Sequence, residues 1–201
     1  LLPTAWQSSK FNTTEANIYA GILNLKDVGL YLQRRKIKQF ILHEDYMGDV
    51  TKEHSNDIAL IKLTRPFDFA ASRGRIGTVC LAVMPPRPGK FVTVAGWGFT
   101  SPYGNRSYHL LAVTVPVITD KICRTTHIHF YRPKLMFCAG ENSKQSGKGD
   151  SGGAAVVRTA RKSLQVGIAS FTTTNNEYTS LVFTKVSTYT KWIIDTLKKL
   201  K

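Results

Sequence analysis

Apolar and polar residues alternate with a period of two over much of this chain. Phe91–Ala95, Val113–Val117 and Leu181–Val186 read as short strands on that pattern. Ile58–Ile61, Ala154–Val157 and Gln165–Ala169 are apolar runs that also read as strands, some buried on both faces. Turn-forming stretches separate them at Pro85–Gly89, Ser101–Asn105 and Thr172–Asn176. Many short strands punctuated in this way predict an all-β sandwich or barrel. The period changes near the C-terminal end. Tyr189, Ile193, Leu197 and Leu200 recur at spacings of three and four with Trp192 beside them, which predicts a helix over about 187–199. Ser187 is the expected N-cap, and lysines gather at the far end, where the helix dipole favours them.

Composition narrows the class. The 201 residues fit one sizeable domain or two small lobes, and 42% apolar residues suffice for a packed core. The longest unbroken apolar run is six residues, Val79–Met84, far short of a membrane-spanning helix. The sequence opens without a basic stretch ahead of an apolar segment, so a secretory signal has been removed or lies upstream. Three cysteines allow at most one internal pair and do not make a disulfide scaffold. Sequons at Asn12 and Asn105 permit glycosylation if the chain is exported.

Charge adds one further expectation. Lys plus Arg number 28 and Asp plus Glu 13, a formal net charge of +15. Such an excess draws a protein toward polyanions: glycosaminoglycan, nucleic acid or acidic membrane. The densest run is Arg34-Arg35-Lys36-Ile37-Lys38, with a second set at Lys191, Lys198, Lys199 and Lys201. The simpler reading is a solvated surface with favourable charge at a helix end. No base-stacking motif accompanies the charge, which argues against specific nucleic-acid recognition.

Two segments carry candidate chemistry. In Gly149-Asp150-Ser151-Gly152-Gly153 a serine stands between glycines. A tight turn there presents its hydroxyl while backbone N–H groups converge on one point, the geometry of a nucleophile beside an oxyanion hole. A polar loop is the plain alternative. Asp57 opens the apolar strand Ile58–Ile61. A poorly solvated carboxylate at that place needs a donor such as an imidazole N–H, or else it caps a turn.

These segments resemble the trypsin/chymotrypsin family of serine proteases. The similarity runs in order through Asp57-Ile58-Ala59-Leu60, Ala95-Gly96-Trp97-Gly98, Cys138-Ala139-Gly140, Gly149–Gly153, Val182–Val186 and Trp192-Ile193. The resemblance implies two six-stranded antiparallel β-barrels with a cleft between them, a first barrel over about 1–90 and a second over about 91–186. It implies Ser151 as nucleophile, the N–H groups of Gly149 and Ser151 as oxyanion hole, and Asp57 as the carboxylate that orients the histidine. It places Gln145, Ser170, Thr172 and Leu181 around the specificity pocket and Asp150 in the activation pocket, where it pairs with a new amino terminus. It pairs Cys123 with Cys138, and it implies secretion, with no cofactor and no metal. In some relatives a cysteine in the Val-Cys-Leu setting of Cys80 tethers a pro-segment.

The departures bear on function. Trp6 falls where the family's general-base histidine stands, and an indole has no basic nitrogen with which to take a proton from Ser151. Losing one triad member typically costs such enzymes about four to six orders of magnitude in turnover. His43, His109, His127 and His129 read as ordinary loop or surface residues, and the resemblance places the side chain of His54, three residues before Asp57, beside the family's catalytic histidine, where it approaches the cleft. Gln145 replaces the aspartate of trypsin-like pockets, Thr172 and Leu181 replace glycines on the walls, and Val92 with Val157 replaces a disulfide. The family's opening stretch has no counterpart here. Either the sequence is incomplete, or Asp150 lacks its ammonium partner and the first barrel lacks strands. The expected activity is binding without catalysis, directed at a protease, an inhibitor, a defence protein or a polyanion. The alternatives are an active serine endopeptidase and a glycosaminoglycan-binding module.

Overall fold

A computed structural model of the chain describes residues 16–27, 29–46, 54–100, 104–127, 129–141, 149–175 and 178–200. Trp6, Asn12 and Gln145 lie outside the described residues. Among the described residues, ten strands form two sheets, accompanied by two α-helices. The first sheet is three-stranded and antiparallel in the order β1-β2-β3, from β1 (Asn17–Ala20), β2 (Gln33–Leu42) and β3 (Ala59–Leu63). The second holds β4 (Cys80–Leu81), β5 (Phe91–Gly96), β6 (Leu111–Pro116), β7 (Met136–Ala139), β8 (Ala154–Arg158), β9 (Ser163–Asn175) and β10 (Tyr178–Lys185). Its main path runs β6-β5-β8-β9-β10-β7, and β4 adds to β9 in parallel.

The ends of that path meet. Val117 bridges Ala139, Ile118 N–H donates to Cys138 O at 3.0 Å, and Gly140 N–H donates to Pro116 O at 3.1 Å. Six strands thereby close on themselves around Val92, Val94, Val115, Phe137, Val157, Val166 and Phe183. Val92 and Val157 share this core. Phe137 and Phe183 stack with centroids 5.1 Å apart. Gly167 leaves them room, since a Cβ there would lie 2.6 Å from Phe137 Cε1.

Between β6 and β7 runs helix α1 (Asp120–Thr126), capped by Thr119, whose hydroxyl accepts from Ile122 N–H. Cys123 in α1 is bonded to Cys138 in β7, with Cα atoms 6.0 Å apart. Helix α2 (Thr190–Lys199) lays Ile193 on a second core cluster with Ile58, Ile168, Val186 and Tyr189. That cluster ties the first sheet to the second barrel. No described helix is long and apolar enough to cross a membrane.

Three expectations need correction. Ser187 does not cap the last helix. Val186–Tyr189 form a 3-10 turn, α2 starts at Thr190, and the Thr190 hydroxyl donates to Ser187 O at 3.1 Å. Thr172–Asn175 is strand rather than turn, because β9 continues to Asn175 and pairs with β10 from Tyr178 onward. The basic run is no uniform surface. Arg35 is buried, donating to Pro66 O at 2.8 Å and to Gln33 Oε1 at 2.6 Å, while Arg34, Lys36 and Lys38 are exposed.

Candidate functional site

Three backbone segments converge between the sheets. The first is the corner before β3. Asn56 takes a left-handed conformation (φ +58°), which asparagine tolerates better than most residues. Ile58 N–H reaches back to Asn56 O at 2.8 Å, which closes a tight turn around Asp57. The Asn56 side chain is held from two sides, accepting from the Tyr189 hydroxyl at 3.0 Å and donating to Asp45 O at 3.1 Å. Burial pushes the Tyr189 phenol well above its usual range, so it stays a donor. This corner carries Asp57 inward until only 2% of it is exposed. From β10, the Thr184 hydroxyl donates to Asp57 O at 2.8 Å.

The second segment is the middle of β9. Ser170 is 7% exposed, and its hydroxyl donates to Asp57 Oδ2 at 2.5 Å. Its carbonyl accepts from the Ser151 hydroxyl at 3.4 Å. One residue thus touches both groups that the sequence singles out. The resemblance assigns Ser170 to the pocket wall, and sequence reasoning missed its bond to the carboxylate. Two serines and an aspartate, distant in sequence, carry no local signal that joins them.

The third segment is the turn at Ser151. Gly149 (φ +97°) and Gly152 (φ +88°) occupy conformations that L side chains rarely adopt. Gly153 N–H donates to Asp150 O and Gly152 N–H to Ala169 O, which fastens the turn to β9 and leaves Ser151 exposed. The N–H groups of Gly149 and Ser151 donate to no described residue. Behind it, Asp150 Oδ1 accepts from Gly98 N–H at 2.8 Å and borders a cavity of about 200 Å³ walled by Val94, Leu111 and Val113. A Cβ on Gly98 would lie 2.5–2.7 Å from the Asp150 carboxyl atoms, and one on Gly96 would overlap Oδ1. A side chain at either place would require the Asp150 carboxyl to move.

The other residues of interest are placed as follows. Thr172 is exposed and its hydroxyl donates to Ser180 O at 3.1 Å, while Leu181, paired with Thr172 and Ala139, is partly buried against the barrel core. Cys80 is free and exposed. Asn105 is exposed, which leaves its sequon accessible.

All five histidines are described, and Ser151 bonds to none of them. His43 packs on Tyr189 and Trp192, and His129 on Phe130. His109 is an exposed partner of Asn24 in an isolated bridge. His54 stacks on Phe171 at 4.5 Å, with Phe130 6.4 Å from the same phenyl ring. His127 corrects the surface expectation. It is 1% exposed, its Nε2 lies 2.8 Å from Ser180 Oγ, and burial lowers its pKa below the ordinary imidazole value. It also lies beside Cys123 and Cys138, but those sulfurs are spent on one another and offer no thiolate to a metal.

Comparisons with known proteins agree on one family. Residues 11–193 match the family described as Trypsin. Human granzyme B is 34% identical over 194 residues, covering 91% of this chain and 71% of that protein. Serine protease SSP1 of Scolopendra subspinipes is 35% identical over 176 residues, covering 83% of this chain and 57% of the relative. Among solved structures, neuropsin, a serine protease expressed in the limbic system of mouse brain, superposes with a TM-score of 0.82 at 25% identity. That superposition covers 98% of this chain and 83% of the other. A family match that spans most of the chain, with a relative 34% identical over most of both proteins, shows that the chain belongs to the trypsin family of serine proteases.

Proposed function

We propose that this protein binds a peptide segment in the cleft beside Ser151 and does not cleave it. The observation that carries the reading is the partner of the Ser151 hydroxyl, which donates to the Ser170 carbonyl rather than to an imidazole. A hydroxyl whose proton rests on a carbonyl has no base to receive it and stays an ordinary alcohol. Trp6 at the base position of the sequence supports the same conclusion. The binding half of the machinery is retained. The N–H groups of Gly149 and Ser151 suit a backbone carbonyl, and the His54–Phe171–Phe130 cluster offers an aromatic wall to an apolar side chain. The resemblance assigns Thr172 and Leu181 to the walls of the specificity pocket and Gln145 to its base, a set that does not favour cleavage after Lys or Arg.

In this reading the ligand is an exposed loop of another protein, such as a protease, an inhibitor or a defence protein, met outside the cell. The Cys123–Cys138 bond fits an oxidising compartment. The cavity beside Asp150 is the receptor for an amino-terminal ammonium, and Cys80 is the anchor for a disulfide-linked pro-segment.

Hydrolysis of a broad peptide library should remain at the level of the Ser151→Ala variant. Trp6→His should raise it by at least about 10³-fold, given the cost of a missing triad member in this family. Turnover by the unaltered chain that Ser151→Ala abolishes would refute the proposal and favour an active endopeptidase. Labelling of Ser151 by an organophosphonate under native conditions would count the same way.

A further inference from the structure

We infer that the outer face of the β1–β2–β3 sheet is a docking surface for a sulfated glycosaminoglycan chain, independent of the cleft. The three strands contain 4, 10 and 5 residues, and these 19 include Arg34, Arg35, Lys36, Lys38 and Lys62 but no Asp or Glu. A sheet with five cations and no carboxylate cannot neutralise itself. Strand geometry then sorts the cations. Side chains alternate across a strand, so Arg35 turns inward, where Pro66 O, Gln33 Oε1 and the Phe67 ring occupy its guanidinium. Arg34 and Lys36 turn outward, two residues apart and therefore about 6.6–6.8 Å from one another along the strand.

The same alternation puts Lys38 outside, and a register irregularity between Ile37 and Gln39 leaves Gln39 exposed beside it. Three cations consequently form one row. Arg34 is steadied by a neutral partner, donating to Asn17 Oδ1 at 2.8 Å, and among the described residues Lys36 and Lys38 have no side-chain hydrogen-bond or ion-pair partner. Their charges remain available.

The row continues toward the C-terminal helix. Lys62 pairs with Gln39 across the strands, and its ammonium donates to Leu200 O. That contact brings the end of α2, with Lys198 and Lys199, to the same side. Among the described residues, the acidic groups Asp195, Glu44 and Asp68 are engaged by other partners. Asp195 bridges Lys191 and Lys198, Glu44 accepts from Trp192 Nε1 at 2.8 Å, and Asp68 is folded onto Gln33 through its backbone. A linear row of unneutralised cations on a rigid strand suits an extended polyanion better than a compact one. On the extracellular location proposed above, which the disulfide fits, sulfate rather than nucleic-acid phosphate supplies the charge.

The test uses the full chain with heparin as probe, by salt-gradient elution and by titration at about 0.15 M salt. A first variant combines Arg34→Ala, Lys36→Ala and Lys38→Ala. A second removes the same charge from exposed positions of the other barrel, with Lys121→Ala, Arg158→Ala and Arg161→Ala. Every altered side chain is exposed, and unchanged melting curves establish that both variants fold. The first variant should bind heparin about 100-fold more weakly, near five-fold per cation, and its log–log salt slope should fall by about two to three. The second should stay within about three-fold of the parent. Ser151→Ala should leave heparin binding unchanged, which separates this surface from the cleft proposal. Equal losses in the two triple variants would overturn the inference, as would no heparin binding at all. So would tighter binding to a single-stranded oligonucleotide or to phosphatidylserine vesicles than to heparin.

Discussion

Removing the Ser170 hydroxyl tests the energetic heart of the cleft. Asp57 is 2% exposed and Ser170 7%, so water cannot readily replace a lost donor. Hydrogen bonds to a charged group are worth about 1.5–3 kcal/mol, against about 1 kcal/mol for a neutral pair. Ser170→Ala deletes one oxygen and little volume, so its cost falls almost wholly on the bond of 2.5 Å to Asp57 Oδ2. The expected loss is about 2 kcal/mol, which in a domain of this size lowers Tm by roughly 4–8 °C. Thr184→Val removes the hydroxyl that donates to the neutral Asp57 carbonyl, and it should cost about half as much. Urea denaturation of Ser170→Ala, Asp57→Asn and the double variant forms a cycle whose coupling should exceed about 1 kcal/mol. A Ser170→Ala loss below about 0.5 kcal/mol, or additive single variants, would refute the claim that this bond holds the buried carboxylate.

Three further predictions follow from packing and protonation. Gly167→Ala should cost about 1–3 kcal/mol, because the added Cβ would meet Phe137 at 2.6–2.7 Å and Phe183 Cβ at 3.0 Å between stacked rings. An unchanged Tm and near-UV circular dichroism would contradict it. Replacing Cys123 and Cys138 by serine should cost about 3 kcal/mol in denaturant, the loop-entropy value for 14 enclosed residues. His127 binds its proton less readily when folded than when unfolded. The stability tied to its neutral form is therefore complete above the unfolded imidazole value near pH 6.5. It declines as pH falls below that value, at up to about 1.4 kcal/mol per pH unit. Stability measured from pH 8 to pH 5 should show this decline, and His127→Gln should flatten it.

The strands legible in the sequence are those whose pairing nothing interrupts, such as β5 and β6. Strand β2 was hidden because its outward residues are basic and its irregularity after Ile37 breaks the period, so Arg34–Lys38 reads as a charge run. Strand β7 is buried along its whole length and too short to show a period, and α1, at seven residues, is shorter than a helical pattern needs. The threonines of Thr172–Asn175 look like a turn by composition, yet cross-strand pairing with β10 holds them extended. Within the cleft, Ser151 and Asp57 were visible because glycine punctuation and an apolar strand frame them. Ser170 is joined to them only by the fold, through contacts 19 and 113 residues apart.

The closure of the second barrel rests on a narrow seam, and the Cys123–Cys138 bond sits directly upon it. Cys138 supplies the carbonyl that Ile118 grips, and its neighbour Ala139 forms the bridge to Val117. The sulfur link therefore acts as a rivet where the cylinder is thinnest. A reductant would loosen that join before the interior, freeing the margins of β6 and β7 to stick to other molecules. For this protein, oxidation state and aggregation belong to one question.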